Sequence, residues 1–189
     1  MNRYTFAWAK LDDFIDMGVE DLIVAHWDEV AADKKAIPFA PDWDRYRHLE
    51  QTGAFKAMGA WRSDKLIGYN AFFVMPHIHY RHSNFAINDV LYIDPDERGE
   101  PGVGLILTAE RDLFAQGAKK IVYHEKPALT LVQTDAGRDS LDELEAIQTL
   151  EEEFGISLPD DALGEHTLGG LLQGLGYIHF ETVWAKTKP

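Results

Sequence analysis

The chain of 189 residues contains no cysteine. Disulfides, thiolate metal ligands and a cysteine nucleophile are therefore excluded, and a reducing, cytoplasmic home is the expectation. Long apolar runs are missing too: nothing approaches the roughly 20 residues needed to cross a bilayer, and Met1-Asn2-Arg3-Tyr4-Thr5 has no signal-peptide pattern. A membrane partner is not expected. Positive charge is scarce, with 18 Lys and Arg against 32 Asp and Glu and a net charge of −14. No basic stripe is visible, so broad nucleic-acid binding is disfavoured. The imbalance is local. Residues 135–165 hold 11 Asp and Glu against one Arg, a net −10, which leaves −4 for the rest. The main body is ordinary and the acidity belongs to one segment.

What is present fits a single globular domain, 46% hydrophobic and long enough for a proper core. Arg3–Ala9 alternates as a first strand. Asp12 or Asp13 can cap a helix whose apolar spacing runs through Phe14, Ile15, Leu22, Ile23 and Trp27. Pro38 and Pro41 break the chain before a short helix around Asp44–Gln51. Gly53–Trp61 and Lys65–Val74 read as strands joined by Arg62-Ser63-Asp64, with Met75-Pro76 ending the second. Phe85–Ile93 is the next strand, Val103–Gly117 a helix, Lys120–His124 a short strand, and Tyr177–Lys186 a final strand pair or bent strand. This order gives an α/β (α+β) protein with a mixed sheet, not a dinucleotide-binding repeat.

The most informative stretch is Asn88–Ile121. An apolar strand ends at Asp94-Pro95. A turn holding Arg98, Gly99, Gly102 and Gly104 follows, directly before Leu105-Ile106-Leu107. Such a turn points backbone N–H groups at a helix N-terminus, a ready anion site. A dinucleotide fingerprint needs a third glycine after Gly102-x-Gly104, and a P-loop needs Gly-Lys-Ser/Thr; neither is present.

These residues resemble the coenzyme A-binding core of the GNAT N-acetyltransferases. The family signature is Arg or Gln, two residues, Gly, one residue, then Gly or Ala. The run Arg98-Gly99-Glu100-Pro101-Gly102-Val103-Gly104 is one residue longer. Asp12-Asp13-Phe14 looks like the family's first helix, Leu66-Ile67-Gly68-Tyr69 like its third strand, and Gly174-Leu175-Gly176-Tyr177 like its entry into the last hairpin. The overall style is similar to members common in bacteria and bacteriophages. The resemblance implies a GNAT fold with acetyl-CoA, or coenzyme A, as co-substrate. Leu91, Tyr92 and Ile93 would offer backbone groups to the pantetheine, and Arg98, Gly99, Gly102, Val103 and Gly104 would cradle the pyrophosphate. Glu100-Pro101 departs from the pattern by adding a carboxylate and removing an amide donor. Leu171-Leu172-Gln173-Gly174 lacks the Tyr that many members use to protonate the leaving thiolate.

The implied reaction is direct attack of an amine on the thioester. Asp89 is a candidate base just before the pantetheine strand, and its alternative is a structural hydrogen bond. His124 is a second candidate, because His titrates near neutrality, and its alternative is a satisfied buried histidine. His77, His79 and Tyr80 would wall the acceptor pocket, with Trp43 and Tyr46 facing them. H-x-H spacing also permits a metal, but no third ligand of convincing spacing follows and none is expected.

Residues 139–161 carry Leu141, Leu144, Ile147, Leu150 and Phe154 at helical spacing, with a Ser140–Glu143 capping box. The stretch also resembles the second half of an acyl carrier protein, with Ser140 at the modified serine. The expectation is one domain with an acidic helical insert at about 131–165. Open alternatives are a non-catalytic GNAT-fold binding protein and a carrier-like interaction module. The acceptor, a small-molecule or a protein amine, is not legible, and a homodimer and a protein partner for the insert stay open.

Overall fold

A computed structural model describes residues 3–31 and 34–124, with 172, 175 and 177. The chain divides into two compact units, Met1–Glu29 with Phe39–His124 and Val30–Pro38 with Glu125–Pro189. In the second, the Tyr177 N–H donates to the Leu172 carbonyl at 2.9 Å. The acidic insert, Ser140, the last strand pair and most of the 171–177 stretch lie outside the described residues.

The first unit runs β1 (Tyr4–Ala9), α1 (Leu11–Asp16), α2 (Val19–Val30), α3 (Trp43–Gln51), β2 (Phe55–Arg62), β3 (Lys65–His77), β4 (Tyr80–Ile93), a 3₁₀ turn (Pro95–Glu97), α4 (Glu100–Ala115) and β5 (Ala118–Val122). The sheet follows chain order, β1-β2-β3-β4-β5. Its pairs are antiparallel except β4 with β5, which α4 connects in parallel. This is the mixed α/β sheet expected from the sequence.

Several boundaries differ from the sequence expectation, each for a local reason. The first helical region is two helices, because Gly18 turns the chain at φ +79. Asp13 does not cap α1; it reaches back from the third position to accept the Lys10 N–H at 3.2 Å. Met75-Pro76 does not end the third strand. Pro76 stays in register opposite Asn84, and β3 continues to His77. β3 and β4 thus form one long hairpin. The helix after the turn starts at Glu100, not Val103, with Gly99 as its N-cap and Pro101 in its first turn, where a missing N–H costs nothing. β5 ends at Val122, so His124 lies beyond it.

Alternation sorts the side chains onto two faces. One face carries Phe55, Ala57, Tyr69, Ala71 and Tyr92, packed with Leu11, Phe14 and Val19 and with the α3 residues Trp43, Tyr46 and Leu49. The other lies against α4. There the Trp8 indole N–H donates to Asp112 at 3.0 Å, and Phe72, Met58, Ile67, Leu105 and Ile106 are fully buried. Gly104 belongs to this packing. A Cβ on it would stand 2.5 Å from the Phe6 ring, so the glycine lets α4 approach β1.

Candidate functional site

The site begins with a break in the β3–β4 register. Ala71 pairs with Val90 and Phe72 with Asn88, leaving Asp89 without a partner residue on β3. A bulge of this kind inserts one residue and re-aims its side chain. Asn88 turns to the α4 side and fills the bulge from behind. Its amide donates to Asn70 Oδ1 at 2.9 Å, to the Ala71 carbonyl at 3.1 Å and to the Val90 carbonyl at 3.0 Å. Asn70 in turn donates to the Tyr123 hydroxyl at 2.9 Å. This buried amide chain ties β3, β4 and the residue after β5 together.

Asp89 faces the other way. The Tyr46 hydroxyl of α3 donates to its carboxylate at 2.9 Å. Burial pushes the Asp89 carboxyl above the usual aspartate range, and the Tyr46 hydrogen bond only partly opposes this. Burial and the adjacent carboxylate push the Tyr46 phenol far up, so it stays a donor. The ring is held edge-on by Phe55 at 4.9 Å and stacked on Phe73 at 6.3 Å. A half-buried carboxylate in an aromatic pocket, held by one phenol and raised above the usual aspartate range, has the character of a general base.

Beside it lies an open strand edge. The parallel β4–β5 ladder stops at Ile87↔Val122. From Asn88 to Ile93, β4 has β3 on one side and, among the described residues, no strand on the other. Within that stretch alternate residues point their backbone groups to opposite sides. The Tyr92 carbonyl and the Asp94 N–H are on the β3 side: a Cβ on Gly68 would touch the former at 2.5 Å, and the latter donates to Ile67 at 2.8 Å. Leu91 and Ile93 therefore face the gap. Arg98 Nε already occupies the Ile93 carbonyl from there at 3.2 Å.

No family model matches the sequence, and neither does any curated protein. Solved structures do. An aminoglycoside acetyltransferase from an uncultured soil metagenomic sample is 14% identical over 74% of this chain and 100% of that one, with a TM-score of 0.54. A Trypanosoma brucei acetyltransferase is 10% identical over 98% and 99% of the two chains, with a TM-score of 0.52. A second soil metagenomic aminoglycoside acetyltransferase, in complex with trehalose, is 13% identical over 97% and 98%, with a TM-score of 0.50. The chain has the GNAT acyltransferase fold. At these identities the likeness is one of architecture.

Within the GNAT fold the site residues expected from sequence separate into groups. Asp89 and Tyr46 meet, and Trp43 lies beside Tyr46 with ring centroids 6.2 Å apart. His124 sits two residues past the last β5 pair, as Asp89 does on β4, and is exposed. His77, His79 and Tyr80 gather elsewhere, at the tip of the β3–β4 hairpin. There the His77 ring packs on those of His79, Tyr80 and Phe85 at 5.5, 5.1 and 4.7 Å. Phe85 lies four residues before Asp89 on β4 and His77 four residues after Phe73 on β3, and among the described residues no hydrogen bond or ring contact joins His77, His79 or Tyr80 to Trp43, Tyr46 or Asp89. Among the described residues no group of three His, Asp or Glu side chains is placed to hold a metal. A cavity of about 460 Å³, lined by Lys56, Asn84 and Gln116 among others, contains none of these residues.

The turn before α4 also differs from an open loop of amides. Gly99 has φ +112, which only glycine adopts readily. Its carbonyl accepts from the Gly102 and Val103 N–H groups at 3.0 and 3.3 Å, and Gly104 lies inside the helix facing Phe6. Pro101 has no N–H, so Glu100 carries the remaining first-turn donor. Burial raises the Glu100 carboxyl, with Arg3 working against it. The 3₁₀ turn is fixed by buried Glu97, which pairs with Arg62 at 2.9 Å.

Two residues not singled out in the sequence complete the pocket. His26 of α2 has its Nδ1 2.8 Å from the Tyr69 hydroxyl and stacks on Tyr92 at 4.9 Å. Burial first, then Tyr92, Asp89 and Tyr46, push the Tyr69 phenol far up. His26 falls in an ordinary amphipathic helix, and only the fold brings it to Tyr69, 43 residues away.

Asn88 provides a direct check. Asn88→Ala removes a buried donor from three acceptors and is expected to cost about 1–3 kcal/mol. An unchanged urea midpoint would show that the amide does not hold the bulge.

Proposed function

We propose that this protein moves an acetyl or related acyl group from acetyl-CoA to an amine by direct attack, with Asp89 as the base. The observation that carries this is the bulge, which presents a half-buried carboxylate at the start of an open strand edge. Acetyl-CoA supplies a reactive thioester carbonyl. As the acceptor nitrogen bonds to the acyl carbon, deprotonated Asp89 takes its proton, the C–S bond breaks, and coenzyme A leaves as a thiolate that water protonates; Tyr46 keeps the carboxylate aimed. Trp43 and Tyr46 form the acceptor wall, and the acceptor is a small-molecule or a protein amine. Backbone groups of Leu91 and Ile93 would bond the pantetheine as an added strand. Arg98, Gly99 and the Glu100 N–H would face the diphosphate, with Gly102 and Val103 behind them. Gly102 suits that place, because a Cβ on it would meet only Ile93, at 3.9 Å.

The open edge and Arg98 fit the co-substrate, while Pro101 and the Glu100 carboxylate lower affinity for an anion. That departure favours a second reading, a GNAT-fold protein that binds without catalysis. On either reading residues 131–165 are an acidic add-on to one domain.

Acetyl-CoA is expected to raise the melting temperature, because a ligand of the native state at a hundredfold excess over its Kd stabilises by about 2.7 kcal/mol. No shift at millimolar acetyl-CoA would remove the co-substrate from this reading. Coenzyme A release on addition of primary amines separates an enzyme from a binder.

A further inference from the structure

Three carboxylates of the turn between β4 and α4 lie beside cations at neighbouring strands. Asp94 pairs with Lys65 at 3.4 Å, Glu97 with Arg62 at 2.9 Å, and Glu100 lies in the field of Arg3. Arg98 is the only Lys or Arg from Asp94 to Gly104, and its guanidinium goes to a different element. Its NH2 donates to Glu29 of α2 at 2.5 Å. It also lies over the Tyr92 ring, 5.8 Å from the centroid. Glu29 and His26 are three residues apart on α2 and share a face. His26 stacks on that same Tyr92 ring, nearly parallel at 18°, and meets Tyr69. Tyr92 is thus gripped by two α2-linked groups, one at the turn and one at the pocket.

We propose that Glu29 is a positioning residue of the diphosphate turn: it holds Arg98 over Tyr92 in the place of a phosphate oxygen, and a bound diphosphate displaces it and frees α2. The inference rests on the acyl-CoA reading above. A carboxylate and a phosphate oxygen take the same charge-assisted N–H bonds from a guanidinium, so the two compete for one donor set. The resident pair is about one-third exposed on each side, where ion pairs are weak and readily exchanged. The consequence is coupling: Ile23, on the same helix as Glu29, packs on the same core cluster as Trp43 and Tyr46, so occupancy of the turn reaches the acceptor side through α2.

The test is titration calorimetry of the full chain with coenzyme A, using Glu29→Gln, Arg98→Gln and the double variant. Glu29→Gln is expected to tighten coenzyme A roughly two- to fivefold, the range such a pair converts to. The effect should vanish in the Arg98→Gln background. Weaker or unchanged binding overturns the proposal. So does a tightening that persists without Arg98, which would be a general charge effect. A ligand-free measurement stands beside it: amide hydrogen exchange over Val19–Val30 should speed up in Glu29→Gln, and an unchanged rate overturns the latch. If no variant and no wild-type protein binds coenzyme A, the acyl-CoA reading fails, and the exchange rates still decide whether Glu29 holds α2.

Discussion

Replacing Asp89 by asparagine lowers turnover on the acceptor by roughly 10²–10⁴, the usual worth of a general base, and leaves acetyl-CoA binding intact. The substitution is nearly isosteric, and the asparagine carbonyl still accepts from Tyr46. Only the ability to take a proton is lost. In the wild type, kcat/KM should fall as pH drops through the raised Asp89 pKa, and that limb should disappear in the variant. Stability moves the other way. The ordinary aspartate value is 3.8 and burial raises it in the folded protein. The folded state therefore binds the proton more tightly than the unfolded chain, and stability falls as pH rises through that window. Above the raised folded value the cost is fully present, so Asp89→Asn is expected to be more stable than the wild type there, with the gain shrinking as the pH falls toward 3.8. A variant that keeps its rate, or loses stability at pH 7, would remove Asp89 from the base role.

Gly68→Ala is expected to be strongly destabilising. An added Cβ would stand 2.4 Å from Ile93 Cδ1, 2.5 Å from the Tyr92 carbonyl and 3.1 Å from the Ile93 Cα. The Ile93 side chain can turn away, but the carbonyl is part of the ladder and cannot. Overpacking costs typically 1–3 kcal/mol, and a displaced ladder bond adds about 1 kcal/mol, so a loss of about 3 kcal/mol is expected in urea unfolding. Gly104→Ala meets only the Phe6 ring, which can shift, and should cost less. A Gly68→Ala midpoint within experimental error of the wild type would mean that β3 and β4 can separate freely at this point. Because the strain falls on Tyr92 and Ile93, the same variant should also weaken coenzyme A binding.

Much of this architecture is legible in the sequence, because alternation and turn residues act locally. The order of elements, the strand before the turn and the helix after it all follow from nearest-neighbour chemistry. Asp89 and Tyr46 were also legible as separate candidates. Their contact was not, since it depends on a register shift that leaves no mark in composition. The hairpin misled for a related reason. Met75-Pro76 reads as a stop, yet Pro76 takes a register position that β3 runs through. His77, His79 and Tyr80 therefore stand on the paired strands and their turn, with His77 and Tyr80 packed on Phe85. In the turn, Gly104 looked like a ligand residue because glycine spacing does not reveal which side a missing Cβ serves. His26 and Glu29 carried no signal at all, because their partners are supplied by the fold.

The bulge has a consequence for how such a site could change over generations. Position 88 is committed: its amide satisfies three acceptors and sets the register of two strands. Position 89 has no partner residue on β3 and answers only to Tyr46. The sheet is thus nearly indifferent to the side chain at 89, while the proposed chemistry depends on it. Neighbouring residues divide inheritance from invention, and a lineage is free to exchange one reactive group for another at 89 without renegotiating the fold.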